Sequence, residues 1–353
     1  MAAAGRSRVQ AAGPLLLSGV DDAQGNHFAA GFGLDGTLVF RQPLPDRAHE
    51  VLQGGPRRHI VACARRPGTF LVAVDPDSFE TVHRIDSPDG RHFQGHAVFS
   101  ADGSVLFATE NAYDAGTGAL GLYDPADGYR RVGEWPSHGI DPHELALMPD
   151  GRTLAVTIGG ILTHPDYGRT KLNIPTMAPS LVFMDAADGA LLGRAALASD
   201  RHQMSIRHMD VAGDGRIALA FQYEGPERDI VPVGGLVGDD GDIRLLDLPA
   251  PYARRSQNYG GSVRFDRAGR YLGVSCPRGG FTGWWDTEDG AFVAAVEMAD
   301  GCGLAALAAD GAFALSSGLG AGAFARLPDA TVTGALAGDA AGYAWDNHLA
   351  LAG

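Results

Sequence analysis

The chain has little of what marks several large protein classes. Three cysteines in 353 residues, Cys63, Cys276 and Cys302, stand too far apart for a CxxC metal knuckle or a disulfide framework; at most one bridge could form, leaving one thiol. Basic residues are scarce, 28 against 42 acidic, and the formal net charge of -14 repels phosphate backbones and anionic membranes, so nucleic acid is not an expected partner. No apolar run approaches the ~18 residues that cross a bilayer, and no transmembrane segment is expected. GxSxG, HExxH, GxxxxGK[ST] and CxxCH are all missing, which removes the main support for common hydrolase, zinc-protease, kinase and c-type cytochrome readings.

What the chain does have is turns. Fifty glycines and twenty prolines run through a sequence that is 45% hydrophobic, a composition that suits many short strands joined by tight turns. One unit recurs: an apolar segment, Asp-Gly or a near variant, then a second alternating apolar segment. It reads HAVFSADGSVLFAT from His96, HELALMPDGRTLAVT from His143, HMDVAGDGRIALAF from His208, GGSVRFDRAGRYLGVS from Gly260 and CGLAALAADGAFALSS from Cys302. Asp and Gly tolerate positive φ, so each copy predicts a hairpin. A second turn signal follows most copies, at Asp127-Gly128, Asp188-Gly189, Asp240-Gly241 and Asp289-Gly290, giving four strands per unit.

The spacing sets the architecture. His49 to His96 and His96 to His143 are each 47 residues, His143 to His208 is 65, and His208 to Cys302 is 94, two units of 47. The surplus in the third unit points to an insertion at about 159–178. From Cys302 to His348 is 46 residues, leaving one last inner strand at Trp345 to Leu351 without partners of its own. Strands near Leu15 to Ser18, His27 to Phe32 and Thr37 to Arg41 can supply them. The expectation is an all-β, seven-bladed β-propeller over 14–353, its ring closed by a C-terminal inner strand joined to N-terminal strands, behind a tail at 1–13. Short regular strands would also suit a β-sandwich or two smaller β domains, but neither explains a chain-wide period with complementary ends.

A propeller's first strands line its channel, so their starts converge at one end. Here the starts are RAH49EV, QGH96AVF, DPH143EL, IRH208MDV, YGGS262V, GC302GL and DNH348LAL. His49, His96, His143, His208, Cys302 and His348 are therefore the candidate ligands of a transition metal. Imidazole and thiolate suit iron, copper or zinc, whereas calcium and magnesium prefer oxygen. Asp141, Glu144 and Asp346 lie beside ring histidines and could orient them by accepting the second N–H. The bland alternative is that these histidines only hydrogen-bond between blades. The register is also uneven: His143 stands seven residues before Asp150, where His96 and His208 stand six before theirs, and a one-residue offset can reverse a side chain.

The insertion GGILTHPDYGRTKLNIPTM carries His164, Asp166, Tyr167, Arg169, Lys171 and Asn173, and is expected either to cap the channel or to satisfy itself on the surface. His202 reads as a loop cap and Cys63 and Cys276 as core thiols. Arg278 could meet an anion or an acidic neighbour. His92 and His138 precede blades 2 and 3.

The segments QGHAVFSADG, GIDPHELALMPDGRTLAVTIGGILTHPDYGRTKLN, HQMSIRHMDV, SCPRGG and WDNH resemble an uncharacterised family of exported bacterial propellers, often encoded beside imelysin-type iron-regulated proteins and di-heme peroxidase-like proteins. The resemblance spans nearly the whole chain. It implies a periplasmic protein connected with iron or another transition metal, with iron-uptake proteins as partners, and it supplies no catalytic residues. Such proteins commonly begin with an export signal. Here Met1 to Gly13 is small and basic and the apolar Pro14 to Gly19 is too short for a complete one, so a cytoplasmic location also stays open. In architecture only, the histidine ring is similar to that of nitrous oxide reductase. The expected function is binding of a transition metal, or of a metal-containing ligand such as heme, in metal uptake or handling. A metal-dependent oxidoreductase or hydrolase and a non-catalytic scaffold are the alternatives.

Overall fold

The computed structural model describes residues 13–168, 170–238 and 241–353. Most of the tail, Arg169 in the insertion and Asp240 of one expected turn lie outside the described residues. Seven antiparallel sheets form a ring, a seven-bladed β-propeller. Six are consecutive in sequence. Their inner strands are Ala48–Gly54, Arg91–Phe99, Pro142–Leu147, Met204–Val211, Ser262–Phe265 and Gly301–Ala306, for blades 1 to 6. Among the described residues the only α-helix is the short Ala250–Arg255.

The seventh blade joins the chain ends. Leu15–Asp21 pairs with His27–Gly33 on one side and with the C-terminal segments on the other, through Val20 to Trp345 and Leu17 to Ala350. The expected inner strand is divided into Ala344–Trp345 and Ala350–Ala352, and the gap between the two pieces holds Asp346 and His348.

Both faces of a blade pack on neighbours, so second strands are buried without alternation: His59–Ala64 and Leu106–Ala112 have no exposed residue, while the outer Arg130–Pro136 alternates with solvent. The apolar core is accordingly divided into seven clusters, one in each seam between adjacent blades. In the blade 4 and 5 seam, for example, Ala220 and Leu246 meet Val263, Val274 and Trp285. The hairpin turns follow the sequence signal. Gly103 takes φ +71°, and Asp102 Oδ1 accepts the Ser104 N–H at 2.9 Å, closing the turn on itself.

Carboxylates tie inner strands across the seams by a repeated rule. Glu50 Oε2 accepts the Ala97 N–H at 3.2 Å, Glu144 Oε2 the Met209 N–H at 3.1 Å, and Asp210 Oδ2 the Phe265 N–H at 2.7 Å. Each bond sets the height of one inner-strand start against the next, which is what a site drawn from several blades requires.

Candidate metal centre

At every inner-strand start that carries histidine or cysteine, the ladder is interrupted at that residue or, for His208, at the residue before it. The register breaks between Ala48 and Glu50, Phe93 and Ala97, Pro142 and Leu145, Ile206 and His208, Gly301 and Gly303, and across the gap that contains His348. Bulges re-aim side chains at the cost of local pairing, and here they turn the ring residues toward the axis. The carbonyls they free are met by hydroxyls on the second strands. Thr109 Oγ1 lies 3.0 Å from the His143 carbonyl, Ser275 Oγ donates to that of Cys302 at 2.8 Å, and Ser18 Oγ to that of His348 at 2.7 Å. Gly95, at φ +109°, is required at one bulge, because a Cβ there would stand 2.6 Å from the His49 ring.

Five imidazoles meet on the axis. His49 lies with its ring centre 4.9 Å from that of His96 and 4.6 Å from that of His348; His96 and His143 are 5.0 Å apart, His143 and His208 4.7 Å, and His208 and His348 4.6 Å. The extra residue before Asp150 does not expel His143, since the bulge between Pro142 and Leu145 absorbs it. Two sets of four donors, His49, His96, His143 and His208, and His96, Glu144, His208 and His348, each have ligand atoms within 4.8 Å of one another, and either could hold a metal ion. His96 and His208 belong to both.

The electrostatics favour neutral, metal-ready imidazoles. Burial pulls His49 down to about 3 and His208 to about 4, and takes His143 and His348 well below the usual histidine range. His96 is the exception: burial opposes its charge, but Glu144 and Glu50 outweigh burial and raise it. Glu144 feels burial upward, yet His96, His208 and Arg264 bring it down to about 2. Asp346 accepts from His49 Nδ1 at 3.0 Å and Glu144 from His208 Nδ1 at 3.1 Å, the carboxylate–imidazole pairing that orients metal ligands. Beyond these bonds, five buried imidazole nitrogens find no partner among the described residues, His49 Nε2, His96 Nε2, His143 Nδ1 and both of His348, while His96 Nδ1 lies 3.3 Å from Glu50 Oε2 without a well-formed hydrogen bond. Each such orphan costs roughly 1–3 kcal/mol unless something binds it, which fits an ion drawing on this donor set.

Other expected residues fall elsewhere. Cys302 is buried at its blade start, but its Sγ faces the carbonyls of Asp346 at 3.3 Å and Trp345 at 3.5 Å, and burial pushes the thiol up to about 12. It belongs to neither donor set. Asp141 orients no imidazole; it accepts from Gln94 at 2.8 Å and pairs with Arg66 and Arg207, because its φ of +63° turns it from His143 toward blades 1 and 4. In the insertion, His164 Nδ1 accepts the Asp166 N–H and its ring packs on Tyr113 and Tyr167, while Asn173 bridges Leu162 and Gly160. Asp166 and Tyr167 are exposed. Of the insertion residues singled out from sequence and described, Lys171 alone lines the cavity above the ring, where it pairs with Glu224. His92 is satisfied by Phe93 and Asn111, and all three thiols are free and buried.

Sequence reasoning missed Glu50, Gln94, Arg65, Arg66, Arg207 and Glu224. A signal existed: in an antiparallel hairpin the segment after a second strand returns to the end where the first began, so the RR of ACARR and the R of SCPRGG share the histidines' end.

Fold and site together define a seven-bladed β-propeller with a buried histidine and carboxylate cluster at one end of its channel. Residues 42–352 match the family model DUF1513, described as "Protein of unknown function", and the chain belongs to that family. No curated protein matches it in sequence. Among solved structures it is similar to Kuenenia stuttgartiensis hydrazine synthase, at 13% identity and TM-score 0.62, over 87% of this chain and 94% of that one. It is also similar to a chain of the mitotic checkpoint complex, at 12% identity and TM-score 0.59, over 86% and 83%. Both likenesses concern the fold alone. No helix among the described residues is long and apolar enough to cross a membrane.

Proposed function

We propose that this protein binds a transition-metal ion, iron or copper in preference to zinc, in the histidine cluster, and serves metal uptake or handling. The observation that carries the reading is the set of orphaned imidazole nitrogens converging from four blades, beside His208 of a fifth. Burial disfavours protonation of His49, His143 and His348, and His96 Nδ1 alone of these nitrogens has a carboxylate nearby among the described residues, Glu50 Oε2 at 3.3 Å. His96 and His208 are the central ligands, with His49, His143, His348 and Glu144 completing one or the other set. When bound, the ion supplies Lewis acidity or a redox couple according to its identity.

Heme suits the site less well, because the cavity above the ring, of about 250 Å³, falls below the usual range for ligand pockets, roughly 300–1,000 Å³. A metal-dependent oxidoreductase or hydrolase is the second reading. It is favoured by the same cavity, whose floor is His49, His143 and His208, so a small molecule can approach the ring. A periplasmic location and a role beside iron-uptake proteins extend the proposal and rest on the sequence resemblance.

Elemental analysis of the full chain, purified without a polyhistidine tag and reconstituted separately with Fe(II), Cu(II) and Zn(II), tests the reading. Stoichiometric iron or copper is expected, and absence of all three metals would overturn it. Cell fractionation tests the location.

A further inference from the structure

The chain as a whole is strongly acidic, at -14, yet the cavity over the histidine cluster is not. Its wall carries Arg65, Arg66, Lys171, Arg207 and Arg278 against a single carboxylate, Glu224. Counting the buried Asp141 and Asp346, which pair with three of these arginines, still leaves cations in excess. The cations arrive from blades 1, 3, 4 and 5, so no one loop accounts for them.

Two further residues that line the cavity have unused bonding capacity. Arg207 is 6% exposed and its Nε has no hydrogen-bond partner, and Gln94 is 1% exposed with its Oε1 equally unpartnered. Gln94 Nε2 donates to Asp141, which fixes Oε1 as the atom left over. Both residues line the cavity, so a side-chain rotation presents an unused guanidinium donor and an unused acceptor to a ligand there, beside Arg278, whose guanidinium is held 4.1 Å from the centre of the Tyr259 ring with no carboxylate partner among the described residues.

We infer that this cavity binds a small polycarboxylate bearing a hydroxyl group, seated directly over the imidazoles. Guanidinium forks match carboxylates in pairs of parallel hydrogen bonds, and two cations in excess of the carboxylates around one cavity favour a multiply charged anion over a single carboxylate. The hydroxyl satisfies Gln94 Oε1. A volume of about 250 Å³ equals roughly eight waters at ~30 Å³ each, more than one tetrahedral oxyanion needs. The inference rests on the proposed metal reading only for what lies beneath: with an ion in the ring, the anion's lower carboxylate is placed to become its co-ligand, and the cargo is then a metal carboxylate complex. The anion site itself is built from the chain alone.

The test is calorimetric titration of the full chain, metal-free and Zn(II)-loaded, with citrate, with tricarballylate, which lacks the hydroxyl, and with inorganic phosphate. Citrate is expected to bind one per chain, tricarballylate about tenfold more weakly, and phosphate weakest. The double variant Arg278→Gln/Lys171→Gln, which leaves both buried aspartates with their partners, is expected to weaken citrate at least about tenfold while metal stoichiometry by elemental analysis stays unchanged. No citrate binding in either form, phosphate binding as tightly as citrate, or an unaffected double variant would each overturn the inference. Metal binding without citrate binding sinks the inference and leaves the metal reading standing, and citrate binding to a chain that takes up no metal does the reverse.

Discussion

Blade 5 and its six neighbours start their inner strands differently. In blade 5 the ladder runs in unbroken register from Ser262 opposite Ser275, with no bulge and no imidazole. In blades 1 to 4 the register breaks at His49, His96, His143 and, one residue before His208, Arg207, and blade 7 opens a gap around His348. The regular blade is what the fold does when nothing is asked of it. A bulge gives up ladder bonds and the histidine it exposes is left partly unsatisfied, so the repeated irregularity belongs to the site. Blade 6 stands between: its register breaks at Cys302, but the thiol turns to backbone carbonyls.

The contrast can be broken most severely at the two residues common to both donor sets. In His96→Ala/His208→Ala, stoichiometric metal is expected to fall to none by elemental analysis, a loss beyond the roughly 10–100-fold typical of outer-shell partners. Glu144→Gln should weaken metal affinity by about that 10–100-fold, in competition with a chromophoric chelator, since it removes the charge facing His208 and His96. Acid should distinguish the blades in the metal-free protein. The folded values of His49, His143, His208 and His348 lie below their unfolded value near 6.5, so as pH falls from about 6.5 toward 4 the unfolded chain takes up protons that the folded chain refuses, and stability is lost in that window. His96, raised, has the opposite sign and offsets part of this. The thermal midpoint should therefore drop between about pH 7 and pH 4.5, and less so in His348→Gln; a flat profile would contradict the assignment. The smallest effects belong to the other two blades. Ser262→Ala and Cys302→Ser should each keep full metal stoichiometry, with Ser262→Ala changing stability by less than about 1 kcal/mol because its hydroxyl is buried without a partner.

Much of this was legible in the sequence for a simple physical reason. Asp-Gly turns and a 47-residue spacing are local and repeated, so blade count and ring closure by Leu15–Asp21 could be read directly. The five histidines were legible because blade phase maps onto height along the axis. Bulges were not, since a strand's alternation does not reveal an extra residue, and the offset of His143 therefore raised a doubt that the structure removes. The role of Asp141 escaped because its backbone conformation, not its adjacency to His143, decides what it meets. The cationic wall escaped because Arg65, Arg207 and Arg278 belong to three different blades, and nothing in a linear reading brings them together except the geometry of hairpins.

The seam of blade 7 gives the cluster a role in completing the chain. His49 and Asp346 are 297 positions apart, yet they share a hydrogen bond, and His348 joins the cluster only after the first strand has captured the last. An ion gripping His348 together with His96 and His208 would act as a rivet through the two ends of the polypeptide. Held that way it would favour the finished ring, stabilise it in proportion to the logarithm of metal concentration, and be lost from a chain shortened by its last eight residues, which keeps only the set of His49, His96, His143 and His208.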